Sequence, residues 1–238
     1  MNTTGIMDRA VADTPVAVVD FETTGLTPGV DRVVEVSVVR VEPGEEPRLV
    51  LDTLVNPMRR MAATEIHGIS DGDVADAPQF SDIAGELVAA LNDCVVAAYN
   101  VYFDLKFLNF ELQNASVDHE PPHFCLMYMR PMLGLGCRCK LELACLLHGI
   151  EYDNAHIAAN DALASAKLLG HYLEEAASRD VHTYGDLANL RRYKFVDSFA
   201  NDPFPEPAAF SLTSCDRLHS RVGQQQVQVH QVEGLVYE

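Results

Sequence analysis

Asp20 and Glu22 stand two residues apart at the end of a short β-branched run, Val16-Ala-Val-Val-Asp-Phe21. Side chains alternate between faces along a strand, so this spacing points both carboxylates to one side and Phe21 to the other. Crowded carboxylates repel unless one is protonated or a cation lies between them, and hard divalent ions such as Mg²⁺ take oxygen ligands. An isolated Asp-x-Glu would read as a solvated strand end. Two further acids change its weight: Asp104 lies just past a second apolar run, Cys94-Val-Val-Ala-Ala98, and Asp161 opens a long helical pattern. His156 precedes Asp161 by five positions, roughly 140° apart on a continuous helix. The histidine is therefore expected on the loop before the helix, from which it can swing over the acid. An imidazole so placed suits proton abstraction from water near neutral pH, and Asp161 in a first helical turn suits the positive end of the helix dipole.

The elements that must position these groups follow from periodicity. After the first strand comes a turn at Thr24-Gly-Leu-Thr-Pro-Gly29, then strands over 33–41 and 49–55 separated by Glu42-Pro-Gly-Glu-Glu-Pro47, a meander of three. Phe80, Ile83, Leu87 and Leu91 recur at helical spacing before the 94–98 strand. Helices are predicted from about 103 to 112, at 140–148 closed by Gly149, and at about 159–177, where Leu163, Ala166, Leu169 and Leu173 recur. The class is α/β. The organisation predicted is an N-terminal tail at 1–14, a catalytic domain at 15–178, and a C-terminal helix and extended arm at 179–238. Asn201-Asp-Pro-Phe-Pro-Glu-Pro207 carries three prolines and excludes regular helix. Residues 224–232 read as an edge strand, a partner-binding arm or a disordered tail.

With 238 residues and 48% hydrophobic content, the chain can bury a sizeable core. No apolar run approaches the roughly 18 residues of a membrane span, and Asp8, Arg9 and Asp13 interrupt any signal-peptide core, so a cytoplasmic protein with no membrane partner is expected. Six cysteines show no disulfide-framework spacing. Cys137-x-Cys139, with Cys125 and Cys145 nearby, lacks the paired spacing of a zinc site and reads as small buried thiols. A formal net charge of −18 argues against long tracking along duplex DNA, which rests on many cationic contacts to phosphate. It is compatible with an enzyme that grips only a strand end and offsets phosphate charge with bound cations.

Val18-Val-Asp-Phe-Glu-Thr-Thr-Gly-Leu26, Asn56-Pro57, Ile66-His-Gly-Ile-Ser-Asp71, Ala98-Tyr-Asn-Val-Tyr-Phe-Asp104 and Ala155-His-Ile-Ala-Ala-Asn-Asp-Ala162 resemble, in order, the motifs of the DEDD exonuclease superfamily. The His-x4-Asp ending is that of its histidine subclass, DEDDh, which includes the proofreading subunit of bacterial replicative polymerase. The resemblance spans about residues 15–175. It implies a ribonuclease-H-like fold, a five-stranded mixed sheet flanked by helices. It implies further that Asp20, Glu22, Asp104 and Asp161 hold two Mg²⁺ or Mn²⁺ ions, with His156 as general base, in a 3′→5′ exonuclease releasing nucleoside 5′-monophosphates.

By the same resemblance, Thr23, Thr24 and Leu26 fall where relatives bind the terminal nucleotide, Asn100 and Phe103 occupy matching positions in the second motif, and His67 sits in the His-Gly-Ile position near the pocket. Bland readings stand beside these: a strand-capping turn for Thr23 and Thr24, and a core aromatic for Phe103. Tyr99 departs from a common histidine and Cys125 from a common aspartate, which bears on substrate preference more than on catalysis. Arg138, Lys140, Arg191, Arg192 and Lys194 could grip the strand or form a solvated helix face. The expected partner is the 3′ end of single-stranded nucleic acid, DNA ahead of RNA, with a polymerase or other replication or repair protein and a homodimer as further possibilities. An RNA-trimming enzyme of the same fold and a binding or assembly module without turnover are the alternatives.

Overall fold

The computed structural model describes residues 5–190 other than 154. Five strands form one mixed sheet, β1 (Val16–Thr23), β2 (Val33–Val41), β3 (Arg48–Leu54), β4 (Val95–Ala98) and β5 (His123–Cys125), in the order β3-β2-β1-β4-β5. β2 runs antiparallel to β1 and β3, whereas β4 is parallel to β1 and β5 parallel to β4. The five-stranded mixed sheet implied by the sequence motifs is therefore present. β1 lies at its centre, which is why Val16 to Val19 form an unbroken apolar run with every side chain buried.

The helices are α1 (Thr64–His67), α2 (Phe80–Leu91), α3 (Val101–Asn114), α4 (Leu126–Met132), α5 (Leu141–Leu147), α6 (Ala158–Ala177) and α7 (Tyr184–Asn189). α2 buries Phe80, Ile83, Leu87 and Leu91, the stripe that its spacing predicts, and opens on a capping box between Gln79 and Asp82. The long helix α6 packs against β1 and β2 with Ala162, Ala166, Leu169 and Tyr172 buried. No helix among the described residues is long and apolar enough to cross a membrane.

Sequence periodicity leaves β5, α4 and the short α1 unassigned. β5 has three residues and follows Pro121-Pro122, too short for a pattern. α4, Leu-Met-Tyr-Met-Arg-Pro-Met, is buried on nearly all sides, so it shows no amphipathic stripe, and Pro131 inside it reads as a breaker. The segment before β1, expected as a tail, lays Ile6 and Val11 into the core. Its backbone bonds to the entry of α7: Val11 N–H to His182 O, Tyr184 N–H to Arg9 O, and Gly185 N–H to Met7 O. The arm expected at 201–238, together with Arg191, Arg192 and Lys194, lies outside the described residues.

Candidate active site

The parallel pairing of β1 with β4 runs from Val16 to Val18. Beyond it, β4 gives way to α3, and Asp104, in the first turn of that helix, turns its carboxylate back: Oδ1 accepts the Phe21 N–H at 3.1 Å. An acid thus replaces a ladder partner between Asp20 and Glu22, anchoring the second acidic motif to the first. Asp104 is 4% exposed. Two turns further along α3, Glu111 lies on the same face. It receives Arg32 through two bonds, Nε to Oε1 at 2.6 Å and Nη2 to Oε2 at 2.7 Å. One face of α3 therefore ties down both β1 and the start of β2.

The fourth acid arrives from the far end of the domain. Asp161 sits buried in the first turn of α6, and His156 lies exposed on the preceding loop in a left-handed conformation, φ 65°. One ligand atom from each of Glu22, His156 and Asp161 lies within 4.8 Å of the others. The backbone N–H of His156 also favours the ionised form of the Asp161 carboxylate. Loop and helix place the imidazole beside Asp161 although the two would not share a face of one helix.

Electrostatics register the crowding. Asp20 is raised well above the ordinary carboxylate range, first by desolvation and then by repulsion from Asp104, Asp161, Glu22 and Glu35. Glu22 is pushed up to about 7 by burial, then by Asp161 and Glu35. Asp104 is raised by burial against the opposing Phe21 N–H bond, and Asp161 by burial against hydrogen bonds from Tyr152 and His156. Mutual repulsion among four acids is relieved by protons or by cations. A donor set of carboxylate oxygens with one imidazole fits hard divalent ions such as Mg²⁺ or Mn²⁺.

The remaining sequence candidates divide into those that face outward and those engaged within the fold. Leu26 is 80% exposed and Asn100 is exposed at the N-cap of α3. Thr23 and Thr24 are buried: Thr23 Oγ1 donates to Gly25 O at 2.6 Å, while Thr24 Oγ1 donates to Asp31 and accepts the Arg32 N–H. Asp31 also accepts the Thr27 N–H and pairs with Arg59, so one carboxylate organises the loop that presents Leu26. A Cβ on Gly25 would come within 2.5 Å of the Asp31 carboxylate, which explains the glycine. His67 is buried, its Nε2 against Ala62 O and its Nδ1 accepting the Ile69 N–H, so both ring nitrogens serve their own loop. Phe103 packs on Phe107 with ring centres 5.2 Å apart.

Two residues were not foreseen. Tyr152 donates from its hydroxyl to Asp161 Oδ1 at 2.6 Å. Glu35 on β2 lies directly across from Glu22, and its Oε2 accepts the Ala158 N–H at 3.0 Å. A carboxylate inside the otherwise valine-rich run Val33-Val-Glu-Val-Ser-Val-Val39 is the sequence signal for Glu35. Of the departures, Tyr99 donates its hydroxyl to Cys139 O and Cys125 Sγ contacts Tyr99 O, both inside the core. Cys94, Cys125, Cys139 and Cys145 are buried free thiols, whereas Cys137, expected as a small buried thiol, is only half-buried; no cysteine joins a metal-ligating cluster among the described residues. Arg138 stacks over Tyr128 at 4.9 Å and donates to its hydroxyl.

A mixed sheet of this order, with acids gathered from β1, α3 and α6 beside an imidazole, defines a ribonuclease-H-like α/β protein with a carboxylate-rich site. The model of the RNase T exonuclease family matches residues 17–169, and the chain belongs to that family. It is 30% identical over 200 residues to a DNA polymerase III subunit epsilon-like protein of Rhodobacter capsulatus, covering 78% of this chain and 28% of that protein. It is 25% identical over 203 residues to the PolC-type DNA polymerase III of Thermotoga maritima, covering 83% and 14%. The chain thus spans less than a third of the length of these relatives. Among solved structures, Exonuclease X in complex with 5′ overhanging duplex DNA superimposes with a TM-score of 0.57 at 22% identity, over 74% of this chain and 98% of that one. Exonuclease I of E. coli with a dT13 oligonucleotide gives 0.60 at 19% identity, over 70% and 42%. The nuclease domain of 3′hExo, a DEDDh member bound to rAMP, gives 0.55 at 19%, over 70% and 95%.

Proposed function

We propose that this protein is a 3′→5′ exonuclease that removes nucleoside 5′-monophosphates from single-stranded DNA ends, with Asp20, Glu22, Asp104 and Asp161 as ligands for two Mg²⁺ or Mn²⁺ ions and His156 as general base. The observation that carries the reading is the convergence of Glu22, Asp161 and His156 within 4.8 Å, with Asp20 and Asp104 in electrostatic reach. Bound divalent ions would supply Lewis acidity, activating water and stabilising charge on the attacking and leaving oxygens of an in-line displacement.

The chain's own residues do the rest. His156, exposed at the rim, takes the proton from the attacking water as its oxygen bonds to phosphorus. The phosphorus–O3′ bond then breaks, and the 3′ oxygen of the shortened strand takes up a proton. The Tyr152 hydroxyl holds the Asp161 carboxylate in one orientation. Leu26, projecting from the loop ordered by Asp31, packs against the terminal base, and Asn100 lies at the mouth of the second motif. Thr23 and Thr24 contribute through the loop they shape and through backbone groups.

DNA as substrate, and a replication or repair polymerase as partner, are supported by the polymerase III relatives. A cytoplasmic setting belongs to the same reading. Incubating the protein and Mg²⁺ with 5′-labelled single strands of DNA and RNA should give a ladder shortening from the 3′ end, faster on DNA. Asp104→Asn should abolish it by about three orders of magnitude or more. Undiminished shortening by Asp104→Asn would remove the reading; faster digestion of RNA would replace its substrate.

A further inference from the structure

We propose that Glu35 is a positioning residue for this site, acting through the Ala158 N–H to set the loop that carries His156; the inference rests on the exonuclease reading above. Glu35 sits on a strand held from both sides. β2 is paired on both sides, with Glu35 opposite Glu22 on β1 and opposite Leu54 on β3. Its carboxylate crosses from the sheet to the first residue of α6, where Oε2 accepts the Ala158 N–H at 3.0 Å.

That N–H is one of the four at a helix start that no helical carbonyl can satisfy. Ala158 is fully buried, so water is no substitute. The neighbouring Ile157 carbonyl accepts the N–H groups of Asn160 and Asp161, and His156, one residue earlier, is in the left-handed region. Chain geometry at 156–158 therefore fixes both the imidazole and the turn that presents Asp161. Among the described residues, Glu35 is a side chain that bonds from the sheet to this backbone. Its reach, and not its charge, is what the site uses: an acceptor at the same distance suffices.

This distinction can be read by two conservative variants. Glu35→Gln keeps an acceptor oxygen at the same reach without the charge; Glu35→Asp keeps the charge and withdraws the oxygen by one methylene. Steady-state digestion of a labelled strand in Mg²⁺ should show Glu35→Gln within about three-fold of wild-type kcat. Glu35→Asp should lose about 10- to 100-fold in kcat with little change in KM, the expected result of misplacing a reacting group. Amide exchange at Ala158 should be protected in the Gln variant and accelerated in the Asp variant. Loss in Gln alone would show that Glu35 acts by charge, and equal loss in both that an acceptor at the same reach does not suffice; either would overturn the proposal, as would full activity in both. Asp104→Asn run alongside separates the outcomes: if it too digests normally, the exonuclease reading fails first and takes this inference with it.

Discussion

The Tyr152 hydroxyl donates a 2.6 Å hydrogen bond to Asp161 Oδ1 from the loop that also carries His156. Phenol and imidazole thus meet the same carboxylate, and the bond favours its ionised form. Tyr152→Phe removes a hydrogen bond to a charged group, worth about 1.5–3 kcal/mol. The expected outcome is a loss of about ten-fold or more in kcat at unchanged KM, checked by single-turnover digestion. Wild-type rates in the variant would reduce Tyr152 to packing.

Metal and stability should be linked. The raised acids Asp20, Glu22, Asp104 and Asp161 repel one another, and a cation binding only the folded state stabilises it by mass action. At a hundredfold excess over Kd this contributes about 2–3 kcal/mol, or roughly 5–10 °C in Tm for a domain of this size. Differential scanning fluorimetry with and without Mn²⁺ measures it, and Asp104→Asn should shrink the shift. A melting curve indifferent to saturating metal would contradict the cation site.

Arg32 and Glu111 should prove unequal partners. The Glu111 side chain is 1% exposed and that of Arg32 30%. Arg32→Ala strands a buried carboxylate and should cost about 3–5 kcal/mol, the range for breaking a buried pair. Glu111→Leu leaves an arginine that can reach water and should cost less. Urea unfolding of both variants gives the comparison, and the reverse order would mean that the pair is not anchored by Glu111.

Acid sensitivity should trace in part to His123. Its Nδ1 bonds Pro121 O, its Nε2 is buried without a partner among the described residues, and burial pushes its pKa down to about 4. The unfolded chain binds this proton near 6.5 and the folded chain only near 4, so folding stability falls as pH drops through that window. The full loss below pH 4 amounts to about 3 kcal/mol. His123→Leu should flatten the stability profile between pH 6.5 and 4. A profile as steep as wild type would assign the sensitivity elsewhere.

Sequence reading reaches furthest where local pattern and tertiary role coincide. Val16–Val19 and the α2 stripe declare their elements because each follows a pattern that burial requires, whereas in α6 Ala166 and Leu169 of the expected stripe are buried but Leu163 and Leu173 are only half-buried, the buried face running through Ala162 and Tyr172. Asp20, Glu22, Asp104, His156 and Asp161 stand out because they sit at element ends in ordered motifs. Glu35 and Tyr152 are harder to see: their significance lies in partners far away in the chain or across a loop, Ala158 and Asp161, and no spacing rule encodes such pairs. α4 is hidden for the opposite reason, since a helix buried on nearly all sides has no stripe. Thr23 and Thr24 show the same limit, for only the fold reveals Asp31 and Arg32 already engaging Thr24.

Glu22 leaves the ribosome early and Asp161 late, yet the folded domain brings their carboxylates together. Before α6 emerges and docks on β1 and β2, Glu22 and Asp161 have no structure that gathers them. Pairings this distant in sequence form slowly, after local structure. The cluster of Glu22, His156 and Asp161 is consequently gathered only when α6 has docked, near the completion of the domain.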